Sequence, residues 1–101
     1  MSGTLVPKYR LVTVTTAGTP VQILPASISQ PNPVVSVWIQ AKTNKIIVGD
    51  GTASSGIILD SVTNDKIQLT ADAKSVIDLG KVYLDTNTSG GTASVVYLTK
   101  V

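Results

Sequence analysis

The chain of 101 residues contains no cysteine, no histidine and no glutamate. Without cysteine it can form neither a disulfide nor a thiolate metal site. Without histidine it lacks the base that most often activates a serine or threonine nucleophile. Its six acidic residues are all aspartates, and most lie in or beside predicted turns, where aspartate commonly caps backbone N–H groups. We therefore expect no enzymatic activity, no cofactor and no metal.

Charge is also scarce, since only 14% of the residues are charged and the formal net charge is +2. The basic residues are scattered and form no stripe or cluster, so we expect no nucleic-acid partner. No apolar run approaches the roughly 18 residues that a membrane span requires. The N-terminus lacks the charged and apolar regions of a secretory signal. The sequence thus predicts a soluble chain without a membrane partner or a signal peptide.

The polar surface that remains must consist largely of Thr, Ser, Asn and Gln. Such a surface loses its water cheaply, because few full charges have to be desolvated. This composition favours packing against other subunits, and we expect a homo-oligomer. An ordinary β-domain with a threonine-rich face would have the same composition.

What the chain has in abundance is strand-forming side chains, because 36 of its residues are Val, Ile or Thr. Short strands alternate with turn signals every 8 to 12 residues, which is typical of an antiparallel sandwich or barrel. The sequence predicts an all-β fold, an antiparallel β-sandwich or jelly-roll-like barrel of about eight short strands. A flexible N-terminal arm, residues 1–8, precedes a single domain, residues 9–101. The predicted strands are 9–16, 21–24, 34–41, 45–48, 57–59, 67–69, 81–85 and 93–99.

Three segments have sequences that make more specific predictions: 34–41, 25–33 and 72–79. The strand at 34–41 is expected to place Val35, Val37, Ile39 and Ala41 on one face and Ser36, Trp38 and Gln40 on the other. Residues 25–33 contain three prolines and predict a loop or an edge segment. Residues 72–79 are compatible with a helical turn capped by Asp72 or with an extended connection.

Two loops resemble ligand sites but lack essential parts. Residues 85–90 match the opening of a calcium loop, yet the twelfth position is Val96 instead of a bidentate carboxylate. An EF-hand is excluded and turn capping is the default interpretation, with a looser β-loop calcium site at Asp85 as the alternative. Residues 49–52 follow a strand but have neither the lysine nor the helix of a phosphate-binding loop.

The aromatic side chains are the candidate partner-binding residues. They are Trp38, Tyr9, Tyr83 and Tyr97, and no other aromatic residue is present. Exposed aromatics in a row would stack on sugars, as in carbohydrate-binding modules. Alternatively, Trp38 covers the core or fills a subunit interface, where Trp and Tyr are enriched.

Three segments together resemble a known family: VTVTTAGTPVQI, then VVSVWIQA with KTNKIIVGD, then DLGKVYLDTNTSGGTASVVYL. They are similar to the small β-sandwich virion proteins of tailed bacteriophages and prophages, over roughly residues 11–98. The proline-rich segment 25–33 and the residues at 58–60 depart from the family pattern.

The resemblance implies a virion structural component. A capsid decoration (cement) protein on the capsid surface is the leading expectation, with the major capsid protein or other virion proteins as partners and assembly in the host cytoplasm. A head-fibre base or small tail subunit is also compatible, and the arm at residues 1–8 would serve as an anchor. The alternative is a receptor- or glycan-binding module of a phage tail or fibre, with loops 49–56 and 86–92 and Trp38 as its site.

Overall fold

A computed structural model describes residues 4–24, 33–72 and 76–100. These residues form strands joined in antiparallel pairs, and a 3-10 turn at Leu79–Lys81 is their one helical element. The prediction of an all-β antiparallel fold is confirmed. The strands are β1 Leu5–Val14, β2 Val21–Gln22, β3 Val34–Thr43, β4 Lys45–Gly49, β5 Ile57–Asp60, β6 Lys66–Thr70, β7 Tyr83–Thr86 and β8 Gly91–Lys100.

The strands form two four-stranded sheets, with the orders β1-β8-β3-β6 and β2-β7-β4-β5. β1 pairs with β8, β2 with β7, β3 with β6, and β4 with β5. The chain is therefore one long antiparallel hairpin rolled into two layers, and the β3·β8 and β4·β7 pairs complete the sheets. This connectivity is that of an eight-stranded jelly roll.

The hydrophobic core lies between the two sheets and follows from the period-two alternation of the strands. In β1, Val12 and Val14 are buried while Leu11 and Thr13 are exposed. Fully burying one such aliphatic side chain stabilises the fold by about 1.5–3 kcal/mol. Further fully buried members are Val37, Ile39, Ala41, Ala93 and Val95 from the first sheet and Ile46 and Leu84 from the second.

The start of β3 differs from the prediction. Val34 is fully buried and Val35 only half-buried, so Val34 takes the inward position that the alternation assigned to Val35. The cause is a shift in register with β8 between Val34 and Ser36. A bulge of this kind adds one residue to a strand, and strict alternation cannot anticipate it. From Ser36 onward the predicted faces are confirmed.

β1 begins at Leu5, four residues before the predicted start at Tyr9. Residues 5–8 pair with residues 97–100 of β8, so this part of the expected arm is a paired strand, while residues 1–3 lie outside the described residues. A proline cannot donate to the ladder, so within sheets it is confined to edge strands, strand starts and bulges. Pro7 is accommodated because β1 is an edge strand.

The two uncertain segments are only partly described. Of the proline-rich segment 25–33, only Pro33 lies within the described residues. In 72–79, residues 73–75 lie outside them and Ile77 forms an isolated bridge with Val34. The 3-10 turn follows Asp78, whose carboxylate accepts a hydrogen bond from the Gly80 N–H at 2.9 Å. Within the described ranges, no helix is long and apolar enough to cross a membrane.

Candidate interaction surface

The outer face of the β1-β8-β3-β6 sheet carries exposed apolar side chains on one half. On β1, Leu5 is 49%, Tyr9 64% and Leu11 53% exposed. Val96 and Leu98 of β8 lie beside them, because residues directly opposite in a ladder share a face. These five side chains are named the apolar half-face. Contiguous exposed apolar patches often mark interaction sites.

The other half of the same outer face is polar. β6 contributes Lys66, Gln68 and Thr70. Ser36 of β3 donates to the Leu69 carbonyl at 3.3 Å, and its hydroxyl accepts from Gln68 Nε2 at 3.1 Å. Ser36 and Gln68 therefore already have hydrogen-bond partners, and the polar half exposes less apolar surface to a contact than the apolar half-face.

Trp38 lies at the boundary between the two halves. Val96 is paired with Tyr9 on one side and with Trp38 on the other, and Trp38 is paired in turn with Gln68. The side chains form one row across the sheet in the order Tyr9, Val96, Trp38, Gln68. Two of the four predicted partner-binding residues, Tyr9 and Trp38, thus lie on one face, separated by Val96.

The other two candidate aromatics lie elsewhere. Tyr97 of β8 has the parity of the buried Val95 and packs against the core. Tyr83 of β7 lies in the second sheet, and its ring packs beneath Gly51, where a Cβ would lie 3.3 Å from the ring. Neither tyrosine joins the apolar half-face.

The outer face of the second sheet is covered by the chain's own loops around Asp85, while Ile58 on the edge strand β5 is 60% exposed. Asp85 of β7 points to this face, because its neighbour Leu84 points into the core. The Asp85 carboxylate is only 2% exposed and accepts hydrogen bonds from Gly18 N–H at 2.9 Å and Ser54 N–H at 2.8 Å. The loops 15–20 and 50–56 therefore meet over the sheet at one carboxylate.

The electrostatics of Asp85 follow from this burial. Burial by itself would raise the pKa of the carboxyl. The N–H groups of Ser54, Thr86 and Gly18 outweigh burial and hold the pKa below its usual value. The group is therefore ionised at neutral pH and accepts charge-assisted hydrogen bonds, which are stronger than neutral ones.

The side-chain oxygens of the calcium-like motif at 85–90 accept hydrogen bonds from backbone N–H groups of neighbouring loops and strands, so they are not free to bind a cation. Asn87 Oδ1 accepts from the Lys45 N–H, and Ser89 Oγ accepts from the Ala17 N–H, both at 3.0 Å. Together with Asp85, each oxygen-bearing side chain at the motif's ligand positions is paired with a backbone donor. Across the described parts of the chain, no group of three or more Asp side chains is arranged to hold a metal ion.

Loop 49–56 encloses a shallow groove of about 250 Å³, lined by Gly49, Asp50, Thr52, Ser55 and Gly56. Asp50 accepts from the Thr52 N–H at 3.0 Å, which is ordinary turn chemistry. Trp38 lies on the opposite outer face of the sandwich. The composite site expected for a glycan-binding module, with this loop and Trp38 together, is therefore not formed.

Sequence reasoning missed the contribution of Leu5, Leu11 and Leu98 to this surface. A signal was present in β1, where Leu5, Tyr9 and Leu11 alternate with Val6, Val12 and Val14 on the other face, so the strand has two apolar faces although one sheet face must meet solvent. The chain matches no family model, no curated protein and no solved structure.

Proposed function

We propose that the protein is a structural subunit that docks on a larger protein assembly through the apolar half-face and Trp38. More specifically, we propose that this subunit is a capsid decoration (cement) protein of a tailed bacteriophage. One observation carries the proposal. Of the two outer faces of the sandwich, one is covered around Asp85 by loops that this buried carboxylate holds in place and leaves Ile58 exposed at its β5 edge, whereas the other presents several exposed apolar side chains side by side on one half.

The energetics of this surface favour a protein partner. Tyr9, Leu5 and Leu11 each leave about half or more of their surface in water. Covering one of them would contribute about 1 kcal/mol, half of the value for complete burial. Tyr and Trp are also the residues most enriched at the centres of protein interfaces.

The fold adds weaker support. Jelly rolls recur in viral capsid proteins, and also in lectins and cupins, so the fold alone decides nothing. The resemblance of three segments to small virion proteins of tailed phages points to the first of these groups. A shell surface also suits a chain with few charges to desolvate.

The test uses paired variants from a single row of the sheet. Val96→Lys places a charge in the apolar half-face, whereas Gln68→Lys places the same charge in the polar half of the row. We expect wild type and Gln68→Lys to co-sediment with phage particles lacking the protein, and Val96→Lys to lose binding at least tenfold. Equal binding by both variants would contradict docking through this surface.

The composition of native phage particles tests the assignment as a decoration protein. A copy number close to that of the major capsid protein, measured by quantitative mass spectrometry of purified virions, is expected for a decoration protein. Absence from the virion would contradict that assignment. Binding of the wild-type chain to glycans but not to particles would favour the alternative, a receptor- or glycan-binding module restricted to the groove of loop 49–56.

A further inference from the structure

β1 has a free edge whose backbone groups can be assigned. The Val6 carbonyl accepts from Thr99 Oγ1 and the Val14 carbonyl accepts from the Gly90 N–H, so both carbonyls face β8. Backbone groups of successive strand residues point to opposite sides. The N–H and C=O groups of Tyr9, Leu11 and Thr13 therefore point away from β8, where no described strand pairs with them.

The two edges of this sheet differ in how they are protected. β6 is short, and its outward side chains are polar and include Lys66, features that discourage strand pairing. β1 has ten residues and exposes Leu5, Tyr9 and Leu11 on its outer face. Its one interrupting residue is Pro7, which has no N–H to donate. Residues 8–14 form a proline-free edge with Leu11 at its centre.

We propose that two copies of the chain pair antiparallel through β1, with Leu11 opposite Leu11 of the second copy on a two-fold axis. In this register the free N–H and C=O groups of Tyr9 meet those of Thr13 in the second copy. The pairing ends where Pro7 would meet Thr15, just beyond the end of β1. The dimer then has one continuous eight-stranded sheet.

The side chains are compatible with this register. Tyr9 lies opposite Thr13 of the second copy, an aromatic and β-branched pair of the kind that stabilises antiparallel ladders. Arg10, the one charged residue from 9 to 14, points inward and lies opposite Val12 and not opposite its own equivalent. Arg10 is already half-buried, and its Nε is buried without a hydrogen-bond partner among the described residues. Pairing therefore strips little further water from this charge.

The inference concerns association between copies and deepens the proposed function, which concerns docking on other proteins. Two variants separate them. Thr13→Pro removes a free N–H from the β1 edge without altering the apolar half-face, whereas Val96→Lys changes that face one strand further in. A dimer that fails to bind particles would contradict only the docking proposal, whereas a monomer that binds them would contradict only the dimer.

Analytical ultracentrifugation of the full chain tests the dimer directly. We expect a dimer for wild type and for Leu5→Lys, whose substitution lies on the same strand and face but outside the paired stretch. Leu11→Lys places two like charges opposite each other and should raise the dissociation constant at least a hundredfold. A monomeric wild type, or equal effects of the two lysines, would overturn the proposal.

Cross-linking tests the register without depending on a destabilising change. Because the natural chain has no cysteine, Leu11→Cys introduces one thiol per copy. Opposite residues of an antiparallel ladder have Cα atoms about 5.5 Å apart, within disulfide range. With diamide as oxidant, Leu11→Cys should form a covalent dimer and Leu5→Cys should not. Cross-linking by Leu5→Cys alone would show a different contact and overturn this register.

Discussion

Replacing Asp85 by alanine should destabilise the protein more than any other single aspartate substitution in the described residues. The carboxylate accepts from the N–H groups of Gly18, Ser54 and Thr86, at 2.9, 2.8 and 2.8 Å. Two of these donors belong to the loops 15–20 and 50–56. The substitution therefore removes three charge-assisted hydrogen bonds and loosens both covering loops, although the Ala17 N–H still donates to Ser89 Oγ.

The magnitude follows from the donors that lose their partner. A hydrogen bond to a charged group contributes about 1.5–3 kcal/mol, and a buried donor left unpaired costs about 1–3 kcal/mol. The N–H groups of Gly18 and Ser54 can bind water once their loops are loosened. Each therefore loses only about 1.5 kcal/mol, the lower limit for a hydrogen bond to a charged group. The Thr86 N–H stays buried. The sum is about 4–6 kcal/mol, a large part of the roughly 5–15 kcal/mol of a typical domain.

Urea unfolding measures this loss, with Trp38 as the only tryptophan and hence a single fluorescence reporter. Asp50→Ala is the matched control, because Asp50 is exposed and caps one local N–H. Asp85→Asn should fall between wild type and Asp85→Ala. The amide keeps one oxygen for two donors and turns an NH₂ group towards the third. An Asp85→Ala midpoint equal to that of Asp50→Ala would refute the reasoning.

Two further predictions concern the stability of the protein at low pH and the effect of replacing Gly56. The folded-state pKa of Asp85 is lowered, so its contribution is complete above the unfolded pKa of about 3.9 and is lost as the pH falls through the folded pKa. The urea midpoint should stay flat from pH 7 to 5, where no histidine titrates, and fall below about pH 4. A decline already between pH 7 and 5 would contradict this. Gly56→Ala should cost more than about 2 kcal/mol in thermal unfolding, because the new Cβ would overlap the Val48 carbonyl and φ is +150°. Gly18→Ala is the control. Gly18 also has a positive φ, +82°, but a Cβ there would meet no atom within 4 Å, so this variant has the backbone strain without the overlap.

The strands were predictable because each is a short apolar or alternating run between turn residues. All eight predicted segments overlap an observed strand, and the faces of β1 and most of β3 follow from alternation. The main errors lie at the starts of β1 and β3, while β2 ends two residues earlier and β7 begins two residues later than predicted. The expected arm, residues 1–8, contains Pro7, but an edge strand can place the proline nitrogen towards solvent, so β1 begins at Leu5. The bulge near Val35 depends on pairing with β8, which is distant in sequence.

The surface was less predictable than the fold, because it depends on which strands become neighbours. Trp38 and Tyr9 were candidates on composition alone. Their common row exists because β8 lies between β1 and β3. The role of Asp85 was equally hidden. The local pattern from Asp85 to Gly90 resembles a cation loop, and only the fold reveals that its oxygens accept N–H groups from Gly18, Lys45 and Ser54.

The proposed dimer and the proposed docking surface have a joint geometric consequence. β1 carries three of the five side chains of the apolar half-face and also forms the proposed dimer edge. Pairing two copies through Leu11 would therefore join two half-faces into one strip with two-fold symmetry. A two-fold dimer presents the same patch twice, so it would contact two equivalent subunits of an underlying assembly and link them. Simultaneous binding at two linked sites raises the overall affinity well above that of either site. Particle binding should then weaken when Thr13→Pro, which removes a pairing N–H of the edge, separates the copies, even though all five side chains of the apolar half-face are unchanged. Full-strength binding by the monomeric variant would mean that each copy docks alone.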